Sequence, residues 1–226
     1  MKWCLEKYSP EKPKIRVLDV GSQDVGNGSY RDLVPAGADY VGLDIEAGKN
    51  VNLVPDDIYN WAELADNSFD VVISGQAFEH TEFFWLTAAE MARVLKPGGI
   101  LILIAPYRWP RHRWPVDCYR FDADGMVAIA RWSGLAPLHA TAGLYPEKIP
   151  VNKWEGFEFL ADAVMVAKKP ENWPGILKTT KGYICEPSDL DALSNGWVAP
   201  EKPVLSGPRK KRGPARLWKH IMTMKF

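Results

Sequence analysis

The first residues with a clear chemical use are two carboxylates and a glycine that follow hydrophobic segments. Asp19 lies within VLDVGS, and Asp44 lies 25 residues later at the end of YVGLDI. Gly21 follows the first segment, and a glycine lets a ligand approach the backbone where a Cβ would collide. A carboxylate placed like Asp44 can accept both hydrogen bonds of a ribose diol. The spacing predicts a site for a nucleoside cofactor, and by itself it fits a dinucleotide as well as S-adenosylmethionine.

A Glu-His pair follows the apolar segment Phe69–Ser74, which is predicted to be the fourth strand. The carboxyl end of such a strand faces the ligand crevice of an open α/β sheet. An unperturbed imidazole has a pKa of about 6.5, which suits His80 to take a proton from an acceptor hydroxyl. His80 is therefore the candidate catalytic residue.

The stretch APYRWPRHRWPVDCYRF, rich in arginine and aromatic residues, follows the predicted fifth strand. Its tryptophans can stack on a flat or sugar-like acceptor, and its arginines can hold an anionic group such as phosphate. The alternative is that these side chains only pack the loop on the core. His112 and Asp117 lack a third ligand in pattern, so no metal is predicted. The predicted acceptor-binding residues are Arg108, Trp109, Arg111, His112, Trp114 and Asp117.

Around these candidates the chain alternates predicted strands and helices. The predicted strands are Ile15–Val20, Asp39–Asp44, Val51–Val54, Phe69–Ser74 and Ile100–Ala105, with strand-like segments near 138–141 and 161–167. The clearest helix is Thr81–Leu95, whose apolar residues recur every three or four positions. Shorter helical segments are predicted at 29–34, 58–64 and 122–132, and the first 14 residues form a leader or a short helix over the sheet. This alternation predicts an α/β fold with a mostly parallel sheet and helices on both faces.

Length and composition favour one sizeable core: the chain has 226 residues, of which 46% are hydrophobic. Three cysteines without metal-like spacing indicate a reducing compartment. No apolar run approaches the roughly 20 residues needed to span a bilayer, and the N-terminus has no core of signal-peptide length. We therefore expect a soluble, cytoplasmic protein.

The charge is balanced overall but uneven along the chain. Residues 1–208 hold 21 cations against 28 carboxylates, whereas residues 209–226 hold seven cations and no carboxylate. The tail fits a solvated, disordered end. With Leu217, Trp218 and Ile221 among its cations, it also fits a weak contact with an anionic membrane.

Taken in order, VLDVGS, YVGLDI, DNSFDVVISGQAFEH and EMARVLKPGGILILIAP resemble class I S-adenosylmethionine-dependent methyltransferases, in particular the broad group acting on small molecules. The resemblance covers about residues 15–170. It implies a doubly wound, mostly parallel seven-stranded sheet with a reversed last hairpin, and S-adenosylmethionine as the cofactor. The predicted cofactor-binding residues are Asp19, Gly21, Ser22, Gln23, Asp44, Ile45, Asp57, Ile58, Gly75 and Gln76.

Three features of the resemblance leave alternatives open. Many family members read DxGxG where this chain reads DVGSQ, so Gln23 leaves the detailed contacts of this loop undefined. Family members often place an acid after the third strand to accept from the adenine amino group, but Asp57 fits a helix cap nearly as well. In the family, the Glu-His pair can also orient the loop or the cofactor without proton chemistry.

The sequence thus predicts a methyltransferase domain over residues 1–170 and a C-terminal extension over 171–226. We expect methyl transfer to an O or N atom of a small molecule or a saccharide-like acceptor. No Asn-Pro-Pro-Tyr type signature stands at the fourth strand, so no specific nucleic-acid partner is expected. The alternatives are a non-catalytic scaffold of the same fold with a basic interaction tail and, less favoured, a nicotinamide-dependent oxidoreductase.

Overall fold

The core of the protein is one mixed β-sheet. A computed structural model describes residues 1–26, 28–144 and 160–177 of the chain. Its strands are β1 (Arg16–Val20), β2 (Asp39–Leu43), β3 (Phe69–Gly75), β4 (Leu95–Arg108), β5 (Ala136–Leu144) and β6 (Ala161–Lys168). Its helices are α1 (Lys2–Tyr8), α2 (Phe84–Val94) and α3 (Ala123–Trp132), with 3-10 helices at Tyr30–Leu33 and Phe78–His80.

The strand order is β2-β1-β3-β4-β6-β5. Strands β2, β1, β3 and β4 run parallel, whereas β6 is antiparallel to both β4 and β5. The carboxyl ends of the four parallel strands therefore meet at one edge of the sheet, which we call the crevice edge. Open α/β sheets bind their ligands at this edge, so the topology brings the predicted site segments together.

The sheet has six strands in the described residues, rather than the seven expected. The predicted strand Val51–Val54 is reduced to a single bridge between Leu43 and Leu53. The amide side chain of Asn52 accepts a hydrogen bond from the Gly42 backbone N–H at 2.9 Å, where a strand carbonyl would otherwise bind. This side-chain contact ends the ladder after one bridge.

Both faces of the sheet are covered, as the alternation predicts. One face carries the larger core, in which Leu18, Val72 and Leu101 pack beneath α2 and α3. On the opposite face, strand residues such as Val17 pack against the buried Cys4 of α1. The N-terminal segment is thus a short helix over the sheet. A fully doubly wound arrangement is not confirmed, because α1 is the one α-helix on this second face in the described residues.

The predicted helical turns over 58–64 form a loop instead. It makes isolated turn hydrogen bonds, such as that from the Leu64 N–H to the Trp61 carbonyl at 3.0 Å, and no continuous helical series; side chains of α2 bind other backbone groups. Glu90 accepts from the Trp61 N–H at 2.8 Å, and Arg93 donates to the carbonyls of Trp61 and Leu64, each at 2.8 Å. The buried indole of Trp61 completes this contact with the core.

A buried lysine at the end of β6 closes the carboxyl end of α2. The Lys169 ammonium donates to the carbonyl oxygens of Ala92 and Leu95 at 2.7 and 2.6 Å and to the Asn67 side chain at 2.8 Å. Burial lowers the pKa of Lys169 to about 8. The ring centroid of Trp173 lies 4.0 Å from the Lys169 ammonium, and its indole N–H donates to the Ser133 carbonyl at 2.9 Å. The first residues after 170 therefore pack on the core.

Candidate cofactor and acceptor site

The loop after β1 approaches the loop after β3 so closely that only glycine fits. Gly21 has a φ of +79°, and a Cβ built on it would lie 2.5 Å from the Cβ of Ala77. Both the backbone conformation and the space therefore require glycine at this position. The two loops that begin at the crevice edge are in direct contact here.

Asp44, at the end of β2, holds the same loop from the other side. One carboxylate oxygen accepts from the Gln23 backbone N–H at 2.9 Å, and the other accepts from the Ile45 N–H at 2.7 Å. Each oxygen keeps a further lone pair, and the side chain is half-exposed. Asp44 can therefore anchor the loop and still accept hydrogen bonds from a ligand.

Asp19 is a buried acid with incomplete hydrogen bonding. Its Oδ2 accepts from the Tyr40 hydroxyl at 2.7 Å, whereas Oδ1 is buried without a hydrogen-bond partner. Burial raises the pKa of Asp19 to about 7, although the Tyr40 hydrogen bond opposes this rise; nearby Asp44 adds to it. An orphaned carboxylate oxygen beside the glycine loop is a fitting contact for a cationic ligand group.

Other predicted cofactor residues lie around these three. Ser22 is buried and donates to the Asn50 carbonyl at 3.5 Å. Gln76 adopts a φ of +57°, and its side chain hydrogen-bonds Asp162. The ring of Tyr30 lies against Gly75, so that a Cβ there would collide with it. The sequence does not point to Tyr30, because the short segment that carries it shows no signal of its contact with β3.

Asp57 and its neighbour Ile58 lie in a turn of their own. The Asp57 carboxylate accepts from the Tyr59 N–H at 2.8 Å and so closes a local turn, with no helix directly after it in the described residues for Asp57 to cap. Ile58 and Ile45 are both exposed. Their contact with an adenine ring stays a prediction.

On the acceptor side, a buried glutamate faces two histidines. Glu79 is fully buried, and neither carboxylate oxygen has a hydrogen-bond partner. The Nε2 atoms of His80 and His112 lie 3.7 and 3.6 Å from Glu79 Oε1. Burial raises the pKa of Glu79 to about 7, although its own nearby backbone N–H and, to a smaller extent, Arg120 lower it. Both histidines were predicted as site residues from the sequence but Glu79 was not, because its position next to a histidine does not reveal that its carboxylate is buried.

Each of these imidazoles has one nitrogen next to a backbone carbonyl. His80 Nδ1 lies 2.6 Å from the Val116 oxygen, and His112 Nδ1 lies 3.0 Å from the Pro110 oxygen. A carbonyl oxygen only accepts, so Nδ1 carries the hydrogen in both rings and Nε2 carries the lone pair. Burial lowers the pKa of His80, which favours its neutral form. The proton-accepting nitrogen of His80 therefore points at Glu79.

The loop after β4 is held together by its own charged residues. Asp117 forms two hydrogen bonds with the Arg120 guanidinium, at 2.5 and 2.9 Å, and accepts from the His112 backbone N–H at 2.6 Å. The indole of Trp109 donates to Asp162 at 2.8 Å. Asp117 and Trp109 thus support the loop, and for Trp109 this contact fits the packing alternative. The side chains of Arg111 and Trp114 on this loop, and of Arg108 at the end of β4, are exposed.

A family model and solved structures identify the fold. Residues 18–103 match the model of a methyltransferase domain. No curated protein sequence matches the chain. A chain of the complex between the Haloferax volcanii Trm112 methyltransferase activator and a methyltransferase is 21% identical, with a TM-score of 0.54, covering 75% of this chain and 87% of that one.

Two further structures show how widely the fold is used. The 4+2 cyclase SpnF is 17% identical, with a TM-score of 0.59, covering 75% of this chain and 80% of that one. Phosphoethanolamine N-methyltransferase 2 of Haemonchus contortus, in complex with phosphomonomethylethanolamine and S-adenosylhomocysteine, is 17% identical, with a TM-score of 0.52, covering 74% of this chain and 52% of that one. At these identities the structures show the fold alone. Together with the match over residues 18–103, the shared fold agrees with the resemblance of this chain to class I S-adenosylmethionine-dependent methyltransferases.

Proposed function

We propose that the protein transfers a methyl group from S-adenosylmethionine to an O or N atom of a small molecule or saccharide-like acceptor. The observation that carries this proposal is the meeting of three cofactor-type contacts at the crevice edge. These are the close approach at Gly21, the half-exposed carboxylate of Asp44 and the orphaned oxygen of Asp19.

The residues present fit the cofactor that the family uses. Asp44 has lone pairs free for a ribose diol, and Asp19 offers a buried carboxylate oxygen to a cationic group. Gly21 removes the side chain that would separate the loop from a ligand. S-adenosylmethionine supplies an electrophilic methyl on a sulfonium, so the protein mainly contributes proximity and alignment.

The acceptor would enter between the Phe78–His80 turn and the loop after β4. Arg111 and Trp114 on that loop and Arg108 at the end of β4 are exposed, which leaves their side chains free to contact an acceptor. Trp109 and Asp117, by contrast, would act by holding the loop in place. If a hydroxyl acceptor requires a base, His80 Nε2 is the nitrogen that would take its proton.

Titration of the full-length chain with S-adenosylhomocysteine, with NADH as a competing cofactor class, tests the cofactor assignment. We expect binding of the first and not of the second. Failure to bind S-adenosylhomocysteine would overturn the proposal. A screen of acceptors with isotopically labelled methyl donor then identifies the substrate, and binding without transfer to any of them would favour the scaffold alternative.

We propose that the methyltransferase domain comprises residues 1–170, with the first residues of the 171–226 extension packed on it, and that the protein acts in the cytoplasm. No described helix is long and apolar enough to cross a membrane. The basic tail, 209–226, lies outside the described residues, and its contact with anionic lipid is a proposal from sequence alone.

A further inference from the structure

The cluster of Glu79, His80 and His112 is held at distances that hydrogen bonds do not explain. The two Nε2 atoms lie 3.7 and 3.6 Å from Glu79 Oε1. Hydrogen bonds between such groups span about 2.7–3.2 Å. Within the described residues, both oxygens of this fully buried carboxylate are without a hydrogen-bond partner. A carboxylate in this state costs free energy unless something outside the protein satisfies it.

All three groups offer lone pairs to the same space. The carbonyls of Val116 and Pro110 fix the hydrogens of the two imidazoles on Nδ1, which leaves both Nε2 atoms as acceptors. No lysine or arginine in the described part of the chain forms an ion pair with Glu79. A single added proton would satisfy one pair of atoms and leave the third group unpaired. A cation would satisfy all three.

We propose that Glu79, His80 and His112 bind one divalent transition-metal ion through a carboxylate oxygen and two Nε2 atoms. These ligand atoms all lie within 4.8 Å of one another. Around a tetrahedral ion with bonds of about 2.1 Å, ligands are about 3.4 Å apart. The two Nε2 atoms need to approach Glu79 Oε1 by only a few tenths of an ångström, whereas the widest separation in the cluster, which reaches up to 4.8 Å, would close by more. Imidazole with carboxylate suits zinc, iron, cobalt or nickel better than magnesium or calcium.

The hydrogen bonds around Glu79, His80 and His112 are of the kind that orient metal ligands in proteins. Both imidazoles donate Nδ1–H to a backbone carbonyl, which fixes the ring orientation. The Cys118 N–H donates to the Glu79 carbonyl at 2.7 Å, and so ties the loop that carries His112 to the Phe78–His80 turn. Asp117 fixes the backbone of His112 from the same loop. The ligands are therefore pre-positioned by two elements that meet at the crevice edge.

This inference deepens the proposed function and rests on it for the role of the ion. Two histidines and one carboxylate leave coordination positions open to a substrate oxygen. An ion here would bind an acceptor hydroxyl or carboxylate and lower the pKa of a bound hydroxyl. The acceptor class is then an oxygen-bearing chelator of metal. His80 would be a ligand and not the base, because an Nε2 that binds metal has no lone pair for a proton.

Metal titration of the full-length chain, purified without a histidine tag and stripped with a chelator, tests the site. Co²⁺ is followed by its visible absorption, and Zn²⁺ by equilibrium dialysis and by the melting temperature. We expect one equivalent to bind and to raise the melting temperature. Loss of an outer partner of a ligand costs about 10–100-fold in affinity. Replacing a ligand, in Glu79→Gln or His112→Gln, should therefore cost at least about 100-fold.

The matched control is Glu82→Gln, which removes an exposed carboxylate three residues from Glu79 and should bind metal like the wild type. His112→Gln alters a partly exposed loop residue, so it keeps the test open if Glu79→Gln fails to fold. Equal Co²⁺ uptake by wild type and His112→Gln would overturn the proposal. S-adenosylhomocysteine titrated into the same samples separates the two claims: intact cofactor binding without metal uptake refutes only the metal site.

Discussion

The backbone N–H of Gln23 donates to the Asp44 carboxylate at 2.9 Å, and this hydrogen bond ties the loop after β1 to the end of β2. The carboxylate expected to bind a ribose is thus also the anchor of the loop that forms the other wall of the site. A charged acceptor strengthens such a bond, to about 1.5–3 kcal/mol. The loop and the ribose contact should therefore depend on the same side chain.

Asp44→Ala should weaken binding of S-adenosylhomocysteine by at least tenfold, since it removes the ribose acceptor and releases the Gln23 loop together. Calorimetry on the purified variant measures the loss. Glu46→Ala, which removes an exposed carboxylate two residues later, is the control and should keep wild-type affinity. Wild-type affinity in a folded Asp44→Ala protein would refute the ribose assignment.

Gly21→Ala should both destabilise the protein and abolish cofactor binding, because the new Cβ collides with Ala77 at a positive φ. Gly26→Ala is the matched control. Gly26 also has a positive φ, of +103°, but nothing lies within 4 Å of its Cβ position. We expect the control to show only the strain, of the order of 1 kcal/mol, in its free energy of unfolding.

The collision itself is tested by the double variant Gly21→Ala with Ala77→Gly. Removing the Ala77 Cβ takes away the contacting atom but not the backbone strain at residue 21. The double variant should therefore regain stability relative to Gly21→Ala, as measured by denaturant unfolding. No recovery would mean that the backbone conformation, and not the approach of the two loops, requires the glycine.

The free energy of unfolding of the ligand-free wild type should fall between about pH 4 and pH 7 because Asp19 ionises there. Asp19→Asn, which cannot ionise, should not show this fall. The folded pKa of Asp19 is raised to about 7, above an unfolded value of about 3.9. The folded state holds the Asp19 proton more tightly than the unfolded state does. The stability that protonated Asp19 contributes is therefore fully present below about pH 4 and is lost as the pH rises to 7. At pH 8 the variant should be the more stable by the order of a few kcal/mol. Melting curves across this range measure it, and a constant difference between the two proteins would contradict it.

Lys169→Met should lower the free energy of unfolding by about 2–5 kcal/mol, because carbonyl groups at the end of α2 lose their buried donor. Lys168→Met changes the exposed neighbouring lysine and should have little effect. Chemical denaturation of the two variants gives the comparison. If both variants unfold like the wild type, the buried ammonium does not stabilise α2.

Removal of the basic tail tests its proposed lipid contact. A chain ending before Gly207 should keep its fold and cofactor affinity, yet lose co-sedimentation with anionic vesicles at low salt. Each cation near such a surface contributes about 1 kcal/mol. Neutral vesicles serve as the control. A full-length chain that ignores anionic vesicles would show that the tail has no such role.

Much of the cofactor side could be predicted from sequence, because its features are local along the chain. Gly21 follows a buried strand, and Asp44 ends the next one, so the parallel pairing of β1 and β2 brings them to one edge. The helix over 81–95 and the strand over 100–105 were also visible in the hydrophobic pattern, and the structure has them as α2 and part of β4. The seventh strand, predicted at Val51–Val54, is not confirmed, because Asn52 binds β2 through its side chain. The hydrophobic pattern of the sequence gives no sign of such a contact.

The acceptor side was decided by tertiary structure. His112 lies 33 residues after Glu79, and only the neighbouring positions of β3 and β4 bring their side chains within 3.6 Å. Burial, which leaves both Glu79 oxygens unpaired, depends on the loop folding back over the Phe78–His80 turn. The sequence alone determined which strand ends carry polar residues, since strand periodicity is a local property. Which of these residues face one another depended on long-range packing.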